Sequence, residues 1–451
     1  MLYFTEAETM MHQLARLGMV LAFCAMPAIG QSADQQNPEP VKVEKGWAGS
    51  LDGTWNWRLP DTPNGLHPTQ SWHATGSAPD GDIYVGGMDH KTNAALYRID
   101  AQAGTLRYVG DARSASEAAH NWLPGETAQK FHTRPLWHNG KIYVATMDRS
   151  DLNPGYLDRR GFHWYAYDPA QDSFTDLSSA EPGGTAVPHG NLVTLASDPT
   201  HNVIYGAGVP TGAIYRYDVA SGSTRDLGRP ASYNQPYVYT GRVMWVDARG
   251  RLYFTASNWD EPTVHDHVQY YDPETGFGEE KDWLLKDGMA LETGQCMEGG
   301  KWCVFGDDRG HVYRFDQDAH TWTYLGQIET GKKAGWGGVE FWLFAVAPSG
   351  NSVYVATSTS PRPSEDTALY EFDLASGRTQ RICALAELDP ALAHSHVHTG
   401  YNAWDAQGRF YFASFGYSDN QSVLVTRIDP ARLKTALTRH AEVRVDTGAS
   451  K

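Results

Sequence analysis

The sequence has little basic charge, few cysteines and almost no long apolar run. Lys and Arg number 37 against 53 Asp and Glu, so the formal net charge is −16. That balance argues against binding nucleic acid or an anionic membrane through a general basic field. The same charge balance does not exclude an anionic polymer that binds in a locally basic groove.

Two common motif classes are also missing. The sequence has no GxxxxGKS/T loop for cradling phosphates and no GxSxG turn that would present a nucleophilic serine. The many glycines, 45 in all, are therefore interpreted as turn residues.

The one apolar run of any length lies near the N-terminus. Leu17 to Ile29 is too short to span a bilayer, and it follows the weakly basic stretch His12 to Arg16. Ala28-Ile29-Gly30 offers a small-x-small cleavage site. These features predict a secretory signal peptide over residues 1–30 and a polar lead-in over 31–53. We therefore expect the mature chain to be secreted or periplasmic.

What the chain does contain is a repeat. An aromatic or aliphatic residue followed by Asp ends a predicted strand seven times, at Asp100, Asp168, Asp218, Asp272, Asp316, Asp373 and Asp429. A preceding strand recurs in six units, at Ile83-Tyr84-Val85, Ile142-Tyr143-Val144, Ile204-Tyr205-Gly206, Leu252-Tyr253-Phe254, Val353-Tyr354-Val355 and Phe410-Tyr411-Phe412. An interval of roughly 40–50 residues with four short strands per unit is typical of propeller blades. The sequence thus predicts an all-β chain, a seven-bladed β-propeller of four-stranded antiparallel blades, with a sandwich of fortuitous spacing as the alternative.

The repeats also predict boundaries. The propeller is expected over 54–432, with blades near 68–110, 130–177, 188–228, 239–284, 289–326, 336–384 and 397–432. The last blade has only three clear strands, so residues 54–59 are expected to supply its outer strand and close the ring. Residues 433–451 are polar and are expected to form a flexible tail.

Histidines concentrate on one face of the predicted propeller, where the loops between second and third strands meet the connections between blades. Ten of the 18 histidines fall there: His73, His90, His132, His163, His189, His265, His267, His394, His396 and His398. Each taken singly could be a hydrogen-bonded loop residue. Together they predict proton transfer, metal binding or both.

Four short elements resemble the propeller polysaccharide lyases, and the seven-bladed ulvan lyases most of all. They are His132-Thr133-Arg134-Pro135, Arg159-Arg160-Gly161-Phe162-His163, Tyr239-Thr240-Gly241-Arg242 and His398-Thr399-Gly400-Tyr401. Oligogalacturonate lyase shares the architecture and a His-x-His metal element that His394-Ser395-His396 resembles. The resemblance implies a secreted lyase that cleaves a uronate-containing, ulvan-like polysaccharide by β-elimination and leaves a 4,5-unsaturated uronate end.

The resemblance also implies residue roles. The catalytic residues would be His132, His163, Tyr239 and Arg242, and the substrate-binding residues Arg134 and His189. Arg242, with Arg134 in reserve, would neutralise the uronate carboxylate, and His132 and His163 would share the proton transfers. The family carries a tyrosine in the corresponding loop of the third blade, where this chain has Gly206 to Pro210. The identity of the base therefore stays open.

The cysteines allow two interpretations. Cys296 and Cys303 flank a predicted four-residue turn at 298–301 and face each other across it, so a disulfide would suit an oxidising compartment. The alternative is zinc bound by both thiolates with His267 and His398, because related lyases carry a structural zinc. Our prediction is structural zinc, with the disulfide as its rival. Cys383 is expected to be a buried apolar residue.

Two other functions compete with the lyase. One is a non-catalytic propeller that binds a glycan or a protein, and the other is a metal-dependent hydrolase using the same histidine-rich face. Only elimination would produce the ultraviolet absorbance of an unsaturated uronate. The expected partner is an anionic polysaccharide, without nucleic acid or membrane, and the expected state is a monomer.

Overall fold

Seven antiparallel sheets follow one another along the chain and form a seven-bladed β-propeller, which confirms the predicted fold class. The computed structural model describes residues 43–147, 160–233, 235, 238–258, 267–287, 290–297, 301–331, 339–359, 367–397, 403–416 and 421–448. Within these residues, no helix combines the length and the apolarity needed to cross a bilayer.

Three strands precede the first blade: β1 (Val43–Lys45), β2 (Trp47–Ala48) and β3 (Thr54–Arg58). Blade 1 comprises β4 (Thr75–Ser77), β5 (Ile83–Met88), β6 (Ala94–Asp100) and β7 (Thr105–Asp111), and helix α1 (Ala112–Ala118) follows it. Blade 2 has a divided first strand, β8 (Lys130–Phe131) and β9 (Leu136–His138), then β10 (Lys141–Met147), β12 (Trp164–Asp168) and β13 (Ser173–Asp176). The short strands β11 (Gly161–Phe162) and β14 (Val187–Pro188) pair with each other, and two 3-10 turns lie at Ser178–Ala180 and Pro182–Gly184.

The remaining blades are more regular. Blade 3 comprises β15 (Asn191–Asp198), β16 (Val203–Val209), β17 (Ile214–Asp218) and β18 (Ser223–Gly228). Blade 4 comprises β19 (Val238–Val246), β20 (Leu252–Asn258), β21 (His267–Asp272) and β22 (Gly276–Leu284). Blade 5 comprises β23 (Leu291–Met297), β24 (Trp302–Asp307), β25 (His311–Asp316) and β26 (Thr321–Gln327). Blade 6 comprises β27 (Val339–Val346), β28 (Ser352–Thr359), β29 (Ala368–Asp373) and β30 (Arg378–Ala384), followed by helix α2 (Leu385–Leu388) and a 3-10 turn at Pro390–Leu392. Blade 7 comprises β31 (His396–Val397), β32 (Phe410–Phe415) and β33 (Leu424–Ile428), and helix α3 (Pro430–Gly448) ends the chain.

The ring closes through the chain's N-terminal part. Strand β3 pairs antiparallel with β33, from Thr54 opposite Ile428 to Arg58 opposite Leu424, as the missing strand of blade 7 predicted. Strands β1 and β2, within the predicted lead-in, add fifth strands to blades 1 and 7. The first and last parts of the chain are therefore joined in one sheet.

The recurring Asp has a structural cause. In each blade its carboxylate accepts a backbone N–H two or three residues later, as Asp218 does from Ser221 at 2.9 Å and Asp373 from Ser376 at 2.7 Å. This bond stabilises the tight turn between the third and fourth strands. In blades 1 to 6 the repeat therefore marks this turn, whereas in blade 7 the equivalent Asp429 caps helix α3.

The topology defines two faces. The turns between first and second strands and between third and fourth strands lie on one face, called here the lower face. The loops between second and third strands and the connections between blades lie on the other, the upper face. First strands lie nearest the axis, since those of neighbouring blades contact one another, as β15 contacts β19 and β19 contacts β23.

Aromatic side chains fill the spaces between blades. Trp57 of the closing strand stacks on Tyr411 with ring centroids 6.0 Å apart. Between blades 4 and 5, Trp245 lies 4.3 Å from Phe305. This burial explains the high tyrosine and tryptophan content, because large flat side chains fill wedge-shaped gaps between twisted sheets.

The predicted flexible tail is wrong for residues 433–448, which belong to helix α3. Asp429 accepts the backbone N–H groups of Ala431 and Arg432 and so caps the first turn. Leu433 and Ala436, three residues apart on one face, are buried. The overall polarity of this segment concealed that short apolar face.

Candidate functional site

Side chains from several blades converge at the upper end of the central channel. We call six of them the axial cluster: His73, His132, Arg242, Glu340, Trp342 and His396. His73 precedes β4, His132 follows β8, Arg242 lies in β19, Glu340 and Trp342 lie in β27, and His396 begins β31. These positions belong to blades 1, 2, 4, 6 and 7, and because blade 4 adjoins none of the others, they converge only at the axis.

His73 is the centre of this group. Its ring stacks on His132 with centroids 4.7 Å apart and meets the edge of Trp342 at 4.8 Å. Both histidines are buried. His73 also has a left-handed backbone with φ of 54°, which is uncommon for a residue with a Cβ.

Two imidazoles of the cluster, those of His73 and His396, are held neutral by burial. Burial, and after it the electrostatic influence of His132, Arg242, Lys130 and His396, lowers the pKa of His73 well below its usual range. Burial lowers the pKa of His396 to about 4. A neutral imidazole keeps a lone pair on one nitrogen, so it can accept a proton.

Glu340 is a candidate that the sequence analysis missed. Burial raises the pKa of its carboxyl to about 7, which the hydrogen bond from Trp342 and the charge of Arg242 only partly offset. Trp342 Nε1 donates to Glu340 Oε2 at 2.7 Å, and the buried Oε1 has no hydrogen-bond partner among the described residues. A carboxyl that titrates near neutrality can act as an acid or a base. Its one signal in the sequence was a lone Glu inside the apolar strand 339–346.

Arg242 supplies the cation that the sequence analysis predicted. Its Nη1 donates to the carbonyl of Thr240 at 2.7 Å, and its Nε lies 3.9 Å from Glu292 Oε2. The side chain is 16% exposed, so its charge acts in a partly dry channel where electrostatic interactions are strong. The backbone of Tyr239 lies in the same strand, while its side chain is outside the described part of the chain.

A second layer surrounds the cluster on its blade 1 side. The Trp72 ring lies 5.8 Å from His90 and 6.3 Å from His396. Lys130 Nζ lies 5.1 Å from the centre of that ring and 3.3 Å from His90 Nε2. Lys130 is almost fully buried, so it adds positive charge beside the cluster.

His163 has different surroundings. Its Nδ1 lies 3.0 Å from Asp176 Oδ2 and its Nε2 lies 3.1 Å from Glu126 Oε1. We call these three residues the acid clamp. Burial alone would lower the pKa of His163, but its bonds to the two carboxylates outweigh burial and raise it. Both nitrogens are engaged, so the predicted sharing of proton transfer between His163 and His132 has no geometric support.

The two predicted substrate-binding residues are not members of the axial cluster. Arg134 lines a cavity of about 230 Å³ in the lower half of the channel, together with Ser77, Met244 and Gln295. His189 is exposed on the upper face, and its backbone N–H donates to the carbonyl of Arg160 at 3.0 Å.

The predicted zinc ligands are not brought together. Cys296 and Cys303 form a disulfide across the lower-face turn of blade 5, with Cα atoms 3.9 Å apart, and a disulfide sulfur offers no thiolate to a metal. His267 begins β21 at the upper face, roughly 20 Å away along a six-residue strand. His398 lies outside the described residues. Among the residues described, no three His, Cys, Asp or Glu side chains form a metal-binding group, so the proposed zinc ligand set does not fit.

Cys383 behaves as predicted. It is a free, buried thiol, and burial raises its pKa to about 12. It is therefore neutral and apolar under ordinary conditions.

Comparison with known proteins shows the fold alone. No protein-family model and no curated protein matches the chain. A solved structure described as an oligogalacturonate lyase in complex with manganese is similar with a TM-score of 0.53 and 11% identity, covering 87% of this chain and 98% of that one. A structure of the mitotic checkpoint complex (TM-score 0.48, 12% identity, 91% and 99% covered) and one of YCF48 bound to a D1 peptide (0.48, 11%, 84% and 98%) are similar as well.

Proposed function

We propose that the protein is a polysaccharide lyase that cleaves a uronate-containing polymer by β-elimination at the axial cluster. The observation that carries this proposal is the convergence of Arg242, neutral imidazoles and a carboxyl of raised pKa at one end of the channel. The motif resemblance makes ulvan the first polymer to test. The similarity to an oligogalacturonate lyase structure makes oligogalacturonate the second.

β-Elimination needs three groups, and the cluster supplies a candidate for each. The uronate C5 proton is weakly acidic, so the neighbouring carboxylate must be neutralised by a cation, here Arg242, which can pair with both oxygens. The stacked pair His73 and His132 supplies the base that takes the proton. The electron pair of the C5–H bond then forms the C4–C5 double bond, and the C4–O bond to the leaving sugar breaks.

Glu340 in its protonated form supplies the third group, an acid that protonates the leaving oxygen. With a pKa of about 7, a substantial fraction of this carboxyl carries a proton at neutral pH. Trp342, which donates to Oε2 and packs on His73, positions the acid relative to the base. The buried setting strengthens the charge interactions that stabilise the enolate.

The first experiment is incubation of the purified protein with ulvan, polygalacturonate and other uronate polymers. Elimination produces unsaturated ends that absorb in the ultraviolet. New reducing ends without that absorbance would support the hydrolase instead, and binding without cleavage would support the binding propeller. Either result would contradict the lyase.

A second experiment compares two arginines of blade 4. Arg242→Ala is expected to lower turnover by roughly 10²–10³, the usual effect of removing a group that stabilises developing negative charge. Arg251, which pairs with Asp272 at 3.0 Å, lies on the lower face, so Arg251→Ala is the matched control and is expected to retain activity. Equal activity of both variants would remove Arg242 from the mechanism.

We also propose that the chain is exported and that residues 1–30 are removed. The Cys296–Cys303 disulfide supports this, because disulfides persist in oxidising compartments. N-terminal sequencing of the secreted protein, with thiol titration and metal analysis, tests the proposal. Stoichiometric zinc together with two free thiols at these positions would restore the zinc prediction.

A further inference from the structure

A second cavity opens on the upper face between blades 6 and 7. Its volume is about 430 Å³, within the range of pockets that hold small ligands. Three segments line it: the end of the closing strand at Arg58, the link between the blades at His394 and Ser395, and the end of β32 at Ser414 and Phe415. The cavity therefore exists only when the ring is closed by β3.

This cavity shares a wall with the axial cluster. The ring of Phe415 lies 5.3 Å from His396 and 5.8 Å from Trp72. Trp72 in turn lies 6.4 Å from His132. A polymer chain that reaches the cluster would thus pass close to this cavity.

The lining has the chemistry of a sugar-acid site. The guanidinium of Arg58 uses one N–H on the carbonyl of Ser422 at 2.9 Å, and its planar fork has further donors that suit a carboxylate. Ser414 is fully buried, and its Oγ has no hydrogen-bond partner among the described residues. A buried hydroxyl without a partner is unfavourable unless a ligand or water satisfies it.

We propose that this cavity is a binding subsite for one uronate residue of the polymer, with its carboxylate on Arg58 and a ring hydroxyl on Ser414. The proposal rests on the lyase function, because it places one sugar of the chain here while another reacts at the axial cluster. It predicts that affinity depends on a charged sugar at a fixed distance from the cleaved bond. It also predicts that Arg58 acts on binding and not on the chemical step.

The test uses the full protein with Arg58→Met and Ser414→Ala, and Arg432→Ala as the matched control. Arg432 is an exposed arginine of the adjoining helix α3, paired with Asp52 at 2.6 Å. Arg58→Met is expected to raise KM for the uronate polymer about tenfold with kcat unchanged, and Arg58→Lys to recover part of the loss. Ser414→Ala is expected to raise KM by a smaller factor, and Arg432→Ala to have no effect.

Calorimetric titration with short uronate oligomers separates this subsite from the lyase function. Oligomer binding that Arg58→Met weakens, in a protein that cleaves no polymer, would support the subsite and overturn the lyase. Cleavage with unchanged KM in both the Arg58→Met and Ser414→Ala variants would overturn the subsite and leave the lyase. Equal affinity for neutral oligosaccharides would also overturn the subsite.

Discussion

Two groups of buried histidines lie toward the same face of this propeller, and their surroundings are opposite. In the axial cluster, His73 stacks on His132 near the cation Arg242, and its pKa is lowered. In the acid clamp, His163 lies between two carboxylates, and its pKa is raised. Burial favours the neutral form of the first imidazole, whereas the two carboxylates favour the charged form of the second and engage both of its nitrogens. The comparison shows that the groups around a buried histidine decide whether its pKa is raised or lowered, and so which role it can take.

The two groups also differ in how the chain assembles them. The clamp joins His163 to Glu126 and Asp176, which lie within one short stretch of sequence around blade 2. The axial cluster needs residues from position 73 to position 396, so it exists only in the closed ring. A site of this kind depends on the whole fold, while the clamp is a local stabilising contact.

The largest expected difference is in activity. His132→Asn is expected to lower the rate of unsaturated uronate formation by roughly 10²–10⁴, because it removes a proton-transfer group. His163→Asn is expected to leave the rate per folded molecule close to that of the parent. Initial rates, corrected for the folded fraction by circular dichroism, test both statements.

His138→Asn serves as the control for loss of a buried histidine. His138 is bonded to Ser197 and Asn202 on the lower face, so its loss should not affect turnover. If His163→Asn lost as much activity as His132→Asn while melting normally, the clamp histidine would be catalytic and the comparison would fail.

The next difference is in stability. His163→Asn leaves Glu126 and Asp176 buried without the cation between them, and breaking a buried ion pair from one side costs about 3–5 kcal/mol. Urea and thermal unfolding of the variant should show a loss of that size. His132→Asn removes no ion pair of this kind and should lower the stability less. If His132→Asn lost more stability than His163→Asn, the imidazole of the acid clamp would not be charged.

A smaller effect tests whether the clamp acts as one unit. Glu126 also pairs with Arg160 at 3.1 Å, so Glu126→Gln alone should destabilise the protein moderately. The double variant His163→Asn with Glu126→Gln should lose less than the sum of the two single losses. A coupling free energy of roughly 1–3 kcal/mol is expected from a double-mutant cycle, and strict additivity would show that the residues act independently.

The fold could be predicted from the sequence because its signals are local. An Asp at the end of every third strand, and a tyrosine in the preceding strand of six blades, mark the repeat without knowledge of distant contacts. Closure by residues 54–59 followed from one missing strand, and Thr54 does lie opposite Ile428. Helix α3 escaped prediction because its apolar face is only a few residues wide.

The site could be predicted only in part, because chemistry depends on contacts that no local pattern encodes. The topology brought His73, His132 and Arg242 to one end of the channel, but the raised pKa of Glu340 arises from burial. No sequence pattern indicated that Glu126 and Asp176 would be the carboxylate partners of His163 either. The topology alone, in contrast, argues against His267 as a ligand beside Cys296, since the two fall on opposite faces of the propeller.

The smallest expected effect is the pH dependence of stability, and here the two groups should have slopes of opposite sign. The folded pKa of His163 lies above its usual value of 6.5, so its stabilising contribution is complete below pH 6.5 and is lost as the pH rises through the folded pKa. The folded pKa of His396 is about 4, so the unfolded chain binds the extra proton between pH 4 and 6.5, and stability rises with pH in that window. Each slope is at most about 1.4 kcal/mol per pH unit.

Melting curves of the parent, His163→Asn and His396→Asn across this pH range give the contribution of each histidine to stability as the difference between parent and variant. Above pH 6.5 the measured slope can be assigned to His163, because Glu126 and Asp176, whose pKa values are lowered, stay ionised there and do not titrate. Parallel curves for the parent and His163→Asn above pH 6.5 would show that the clamp imidazole is neutral, and the contrast between the two groups would then disappear.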